Sequence, residues 1–208
     1  MVARPLDVVL GGSWHDFAGF VRRLESITSG AFACEMHFDP SWLRNLSEAS
    51  RSLLLYTCFD EHTPLQHDSE QLRCLSAWLR AGGGLVALHA STVAARVHPE
   101  LGQLLGGSFV SHPPKQPFLV RATHTPHPIT AGIAPFEVVD ERYQLEVDAN
   151  VEILLVSELA GETHPVAWTR YEGAGRIFYF SLGHDKNVWD LPQYEKILQR
   201  GLEWIARR

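Results

Sequence analysis

The stretch Gly82-Gly83-Gly84-Leu85-Val86-Ala87-Leu88-His89-Ala90 decides the fold. Four consecutive apolar residues, unbroken by polar ones, are what a parallel strand requires when helices cover both of its faces. The glycines before it do not form a dinucleotide loop, because that fingerprint places its glycines after the strand and before a helix. They read as the end of a preceding helix, where glycine takes the left-handed conformation without strain. Leu72, Leu75 and Leu79 mark that helix, and Asp68-x-x-Gln71 opens it in the manner of a capping box.

Working outward, the same alternation of strand and helix repeats. Residues 6–10 form an apolar run closed by Gly11-Gly12, and Phe17, Phe20, Val21, Leu24 and Ile27 follow at helical spacing. Residues 31–38 alternate like a strand, and 53–59 are apolar throughout. Strands are predicted again at 151–156, 166–171 and 176–180, the last two joined by a hairpin turn at Glu172-Gly-Ala-Gly175. Tyr194, Ile197, Leu198, Leu202 and Ile205 lie on one face of a closing helix that starts near Asp190-Leu-Pro-Gln193. The prediction is a three-layer α/β fold, a mainly parallel sheet with helices on both faces. Residues 106–135, rich in Gly, Pro, His and Thr, predict a long irregular excursion with one strand at 118–122.

The chain has 208 residues, 45% hydrophobic and 20% charged, which fits one domain, 1–208, around a sizeable core. Lys and Arg number 18 against 24 Asp and Glu, for a net charge of −6 without basic clusters, so neither nucleic acid nor an anionic membrane is an expected partner. Three cysteines, Cys34, Cys58 and Cys74, make no C-x-x-C pair, which disfavours a disulfide scaffold or a thiolate zinc site. With no apolar run long enough to span a bilayer, a cytoplasmic protein is expected. A two-fold homodimer is expected as the commonest soluble assembly.

Eleven histidines are the unusual entry in the composition. In open α/β sheets ligands bind at the carboxyl ends of the parallel strands, and several polar motifs fall there. His15-Asp16 follows the first strand, Asp60-Glu61-His62 follows Phe59, His89 follows Leu88, and His184-Asp185 follows Phe180 by one short turn. His112 and Glu141 lie on the excursion and just after it. Trp14 and Trp189 flank these loops, where an aromatic ring could stack on a sugar, although packing is the commoner role of a large aromatic. No G-x-x-x-x-G-K-[ST] motif occurs, which excludes a P-loop enzyme, no G-x-S-x-G occurs either, although Ser91 stands two residues past His89, and no nucleotide cofactor is expected. Pro126 and Pro128 make the stretch from Thr123 to Pro128 a stiff loop, and its His124 and His127 read as structural.

Taken in order, the segments resemble the ThuA-like (trehalose utilisation) family. They are Gly82-Gly-Gly-Leu-Val-Ala-Leu-His-Ala90, Gly106-Gly-Ser-Phe109 with His112, His127-Pro-Ile-Thr130, Asp140-Glu141-x-Tyr143, Pro165-Val-Ala-Trp168, Gly175-Arg-Ile-Phe178 and Ser181-Leu-Gly-His-Asp185. The resemblance implies a flavodoxin-like sheet of the class I glutamine amidotransferase type. It also implies a place in disaccharide metabolism, beside dehydrogenases that make 3-keto sugars. Amidotransferases carry a nucleophilic cysteine in the turn after the central strand, and here that turn is Leu88-His89-Ala90-Ser91. His98-Pro-Glu100 imitates their His-x-Glu partner in letters but stands only nine residues beyond the turn, so glutamine thioester chemistry is ruled out.

What replaces the cysteine points to acid/base work or to a divalent metal, zinc or manganese. His89 and His184 are expected as proton-transfer groups or ligands, and Glu141 as a ligand or orienting carboxylate. His15, Asp16, Trp14, His112, Asp185 and Trp189 are expected to bind substrate. A carbonyl at C3 of a sugar acidifies the adjacent C–H, which suits isomerisation, elimination or hydration. A sugar-processing enzyme is thus read ahead of a non-catalytic carbohydrate-binding or regulatory module and of a structural subunit.

Overall fold

The computed structural model describes residues 2–59 and 67–207, and the Asp60-Glu61-His62 motif lies outside them. Strands β1 (Arg4–Gly12), β2 (Phe32–His37), β3 (Ser52–Cys58) and β4 (Gly84–Leu88) alternate with helices α1 (Phe17–Thr28) and α2 (Ser69–Arg80) and a 3₁₀ turn at Pro40–Asn45. Two short helices, α3 (Ser91–Ala94) and α4 (Pro99–Leu105), lead into β5 (Gly107–Ser111), β6 (Gln116–Ala122), β7 (Phe136–Asp140) and β8 (Gln144–Val147). The chain finishes with β9 (Glu152–Leu159), β10 (Glu162–Glu172), β11 (Gly175–Phe180), α5 (Lys186–Trp189) and α6 (Pro192–Ile205).

Nine strands form one sheet in the order β2-β1-β3-β4-β11-β10-β9-β6-β7. The five from β2 to β11 are mutually parallel, and the remaining pairings are antiparallel. The parallel block is the flavodoxin-like part expected from the sequence, and an antiparallel extension widens it. The excursion is more regular than its composition predicts. It carries β5 and β6, and β5 pairs with β8 in a separate two-stranded ribbon. Pro117 sits within β6 and Pro165 at a bulge of β10, so two prolines that weaken a strand reading are accommodated inside strands.

Each face of the sheet has its own core, and alternate residues of one strand feed both. In β4, Val86 and Leu88 pack with α1 and α6 on one side, while Leu85 and Ala87 pack with α2 and α4 on the other. Every residue of β4 is buried, as its unbroken apolarity predicts. The helix before it ends as read. Gly82, at φ +105°, donates its N–H to Leu79 and Gly83 donates to Trp78, the paired bonds of a Schellman motif. At the other end of α2 the Asp68 carboxylate accepts from the Gln71 N–H at 2.8 Å. No helix among the described residues is long and apolar enough to cross a membrane.

Candidate active site

The carboxyl ends of β1, β3, β4 and β11 lie side by side in the parallel block, so the residues that follow them converge. His89 follows β4 in the left-handed conformation, φ +40°, a position that costs a non-glycine residue about 1 kcal/mol or more. Its backbone N–H is anchored to the Phe180 carbonyl, and its Nδ1 donates to the Ser181 carbonyl at 2.6 Å, which leaves Nε2 directed at Tyr143 and Glu141. His15, after β1, donates Nδ1–H to the Ser13 carbonyl at 3.1 Å. Its ring lies 5.1 Å from that of His89 and 5.0 Å from that of His184.

Glu141 enters from the end of β7. Its Oε2 is 3.4 Å from His89 Nε2 and 3.3 Å from His184 Nδ1, and its Oε1 is 3.7 Å from His112 Nε2. One carboxylate therefore faces three imidazoles. The buried Asp140 next to it holds the arrangement, accepting from the N–H of Glu141 at 2.8 Å and of Gly183 at 2.9 Å. The loops bearing Glu141 and His184 are thus tied to one carboxylate. Arg142, also buried, hydrogen-bonds Ser157 and the Glu162 carbonyl and fixes the segment from below.

These surroundings separate the protonation states. Burial favours the neutral carboxyl of Glu141, but His184 and His89 outweigh it and hold the group well below the usual carboxylate range. The Glu141 carboxylate in turn raises His184 above 6.5, against its partial burial. Burial, reinforced by His89 and His184, pushes His15 down to about 3, so its ring is neutral at physiological pH. Its Nε2 is then a lone pair, buried with no hydrogen-bond partner among the described residues. Burial lifts the Tyr143 phenol well above 10, which keeps it protonated.

A pocket of about 430 Å³ opens over this group, walled by Trp14, His15, Phe109, His112, Glu141, Tyr143 and His184, with Cys58 and Val93 also on its lining. Trp14 stands at its edge, 71% exposed and at φ +75°. Of the residues predicted from sequence, His15, His112, Glu141, His184 and Trp14 are brought together on the pocket. His89 belongs to the same cluster but is fully buried beneath it and is not on the pocket wall.

Three other predicted residues are engaged elsewhere. Asp16 caps α1, accepting from the Gly19 N–H at 2.8 Å. Asp185 caps α5 and pairs with Lys115 at 2.6 Å. Trp189 is buried against Phe20 and donates to the Gly183 carbonyl. The sequence reading gave no role to Tyr143, whose hydroxyl is 3.0 Å from His89 Nε2 and whose ring stacks on it at 4.5 Å. The one sequence signal is its place two residues beyond Glu141, which does not say what its hydroxyl meets.

Nitrogens of His15, His89 and His184 lie within 4.8 Å of one another, so these are residues that could hold a metal ion. The donor chemistry fits. Histidine ligands commonly give their second ring N–H to a backbone carbonyl, as His15 and His89 do here. Two ligand atoms of a tetrahedral zinc centre stand about 3.4 Å apart, near the Glu141 separations from His89 and His184.

The trehalose utilisation family, ThuA, matches residues 26–205. The chain belongs to the ThuA family. Solved structures agree on the fold of this ThuA protein. A ThuA-like protein from Parabacteroides merdae ATCC 43184 superposes with TM-score 0.82 at 19% identity, over 99% of this chain and 90% of that one. One from Bacteroides uniformis ATCC 8492 gives 0.76 at 19% identity, over 98% and 91%. A cytoplasmic protein of Salmonella typhimurium LT2 gives 0.74 at 13% identity, over 97% and 100%. No curated protein matches this chain.

Proposed function

We propose that this ThuA protein is an enzyme of carbohydrate metabolism that moves a proton on a keto sugar derived from trehalose or a related disaccharide. The observation that carries this reading is the Glu141 carboxylate set among His184, His89 and His112 on the floor of a pocket at the strand ends. A carboxylate that orients an imidazole and stabilises its charged form makes that imidazole a stronger base. His184 takes the proton from the carbon beside the carbonyl, and Glu141 holds the resulting imidazolium. Tyr143, kept protonated by burial, donates its hydroxyl hydrogen to His89 Nε2 and so fixes that ring beneath the pocket. His15 Nε2 accepts from a sugar hydroxyl, and Trp14 offers a ring face to the sugar.

The test is hydrogen–deuterium exchange. Purified protein is incubated with a methyl 3-keto-glucoside in D₂O, and loss of the C2 proton is followed by NMR. Exchange well above the buffer rate, lost in His184→Ala, is the expected result. Exchange no faster than buffer overturns the proposal, and sugar binding without exchange would leave a carbohydrate-binding module in its place.

A second reading rests on the 3.3 and 3.4 Å separations. In it His89, His184 and Glu141, with His15 beside them, hold a divalent ion, zinc or manganese, whose chemistry is to polarise the sugar carbonyl. Elemental mass spectrometry of untagged protein decides it. One metal equivalent lost in His184→Ala supports the ion, whereas a metal content that this substitution leaves unchanged rejects it.

A further inference from the structure

At the opposite, outer edge of the parallel block, Asp7 of β1 and Glu35 of β2 stand directly opposite each other in register. Register partners in a parallel pair share a face, so two carboxylates are placed together, an arrangement that is unfavourable unless something positive lies between them. His37, two residues beyond Glu35, lies on the same face. Its Nε2 is 3.4 Å from Asp7 Oδ1, long for a hydrogen bond. That separation is the edge of a tetrahedron whose corners lie about 2.1 Å from its centre, the bond length zinc makes to histidine nitrogen and carboxylate oxygen.

The ligand atoms of all three residues lie within 4.8 Å of one another. The imidazole is already fixed, stacked on Trp42 of the 3₁₀ turn with ring centres 3.9 Å apart and planes 13° from parallel. Asp7 and His37 are half-buried, with side chains 15% and 10% exposed, while Glu35 is open to solvent.

We propose that Asp7, Glu35 and His37 form a second, structural site for a divalent transition cation of the zinc class. The ion clips edge strand β2 to β1, with water completing its shell. Two carboxylate oxygens and one imidazole nitrogen favour zinc over calcium or magnesium, which take oxygen shells. Neutralising the carboxylate pair would stabilise the edge of the sheet, the strand least supported by neighbours. The site shares no residue with the strand-end pocket, so it stands whatever that pocket does.

The experiment uses the full chain, stripped with chelator and titrated with zinc by calorimetry, and with copper(II) while tryptophan fluorescence is followed. Wild-type protein is expected to bind one equivalent of zinc that survives His184→Ala, and to melt several degrees higher with zinc than without. Glu35→Gln, at an exposed position that tolerates the change, is expected to weaken that equivalent at least tenfold, and His37→Gln to abolish it. Copper should quench a component of the fluorescence that is missing in Trp42→Phe. Zinc binding unchanged by both Glu35→Gln and His37→Gln overturns the proposal, as does zinc-free behaviour of the His184→Ala protein. The latter result would leave the contact between His37 and Asp7 as a plain side-chain hydrogen bond across the two strands.

Discussion

His15, His89 and His184 converge at the strand ends, while His67 and His98 meet edge-on beside Phe59 with ring centres 5.8 Å apart. Burial acts on both groups alike. It pushes His15 down to about 3 and, with His98 adding to it, His67 down to about 4. The difference lies in the partners. His67 Nε2 meets the hydroxyl of Thr57 at 3.2 Å, a neutral group, whereas His184 faces the Glu141 carboxylate and rises above 6.5. A buried histidine is an inert filler until a carboxylate restores its charge and a pocket gives it something to act on.

The comparison can be broken by experiment. The largest effect is expected from His184→Ala, which should slow keto-sugar deuterium exchange about 10²–10⁴-fold, the usual contribution of a general base. His67→Gln should leave the rate within about twofold of wild type, and a comparable loss in both variants would erase the distinction.

Glu141→Gln sharpens it further. The wild-type rate should rise with pH on a limb set above 6.5, because His184 acts in its neutral form and the carboxylate raises its pKa. Removing the carboxylate should move that limb to lower pH and reduce the plateau about tenfold or more. A limb that stays in place would show that Glu141 does not govern His184.

The other group should appear in stability instead. His67 binds its proton near 6.5 when unfolded and near 4 when folded, so the unfolded state holds more protons between those values. Its contribution is present above pH 6.5 and is lost as pH falls toward 4, by at most about 3 kcal/mol. Denaturation of His67→Gln should show a shallower fall across that window than wild type. The smallest effect is expected from Trp14→Ala, a several-fold rise in KM with kcat unchanged, since a ring at the pocket edge contributes about 1 kcal/mol.

The parallel block was legible because its signals are local. Residues 85–88 carry the apolarity of a doubly covered strand, and Gly82 and Asp68 end and open α2 as their side chains require. The ribbon of β5 and β8 was not, because Gly107 and Ser108 have weak strand preference and pair with residues some forty positions on. Of the antiparallel extension, the strands over 118–122, 151–156 and 166–171 and the hairpin at 172–175 were read, whereas β7 and the pairing of β6 with β9 were not, since strand pairing is not a local signal.

At the site, His15, Glu141 and His184 could be found because strand ends are where such loops meet. Asp16 and Asp185 stand at the same ends, but each precedes a helix, and a capping role competes with a catalytic one for the same residue type. Tyr143 went unassigned because nothing in the sequence tells that its hydroxyl meets an imidazole 54 residues away.

The conformation of His89 carries one more consequence. Its backbone occupies a region that glycine enters freely and histidine does not, so His89→Gly would relax the turn while emptying the centre of the cluster. The exchange would also leave a cavity and strand the Ser181 carbonyl and the Tyr143 hydroxyl without their imidazole partner, a larger cost than the strain it relieves, so the side chain's own bonds hold the turn in a shape its backbone alone would reject.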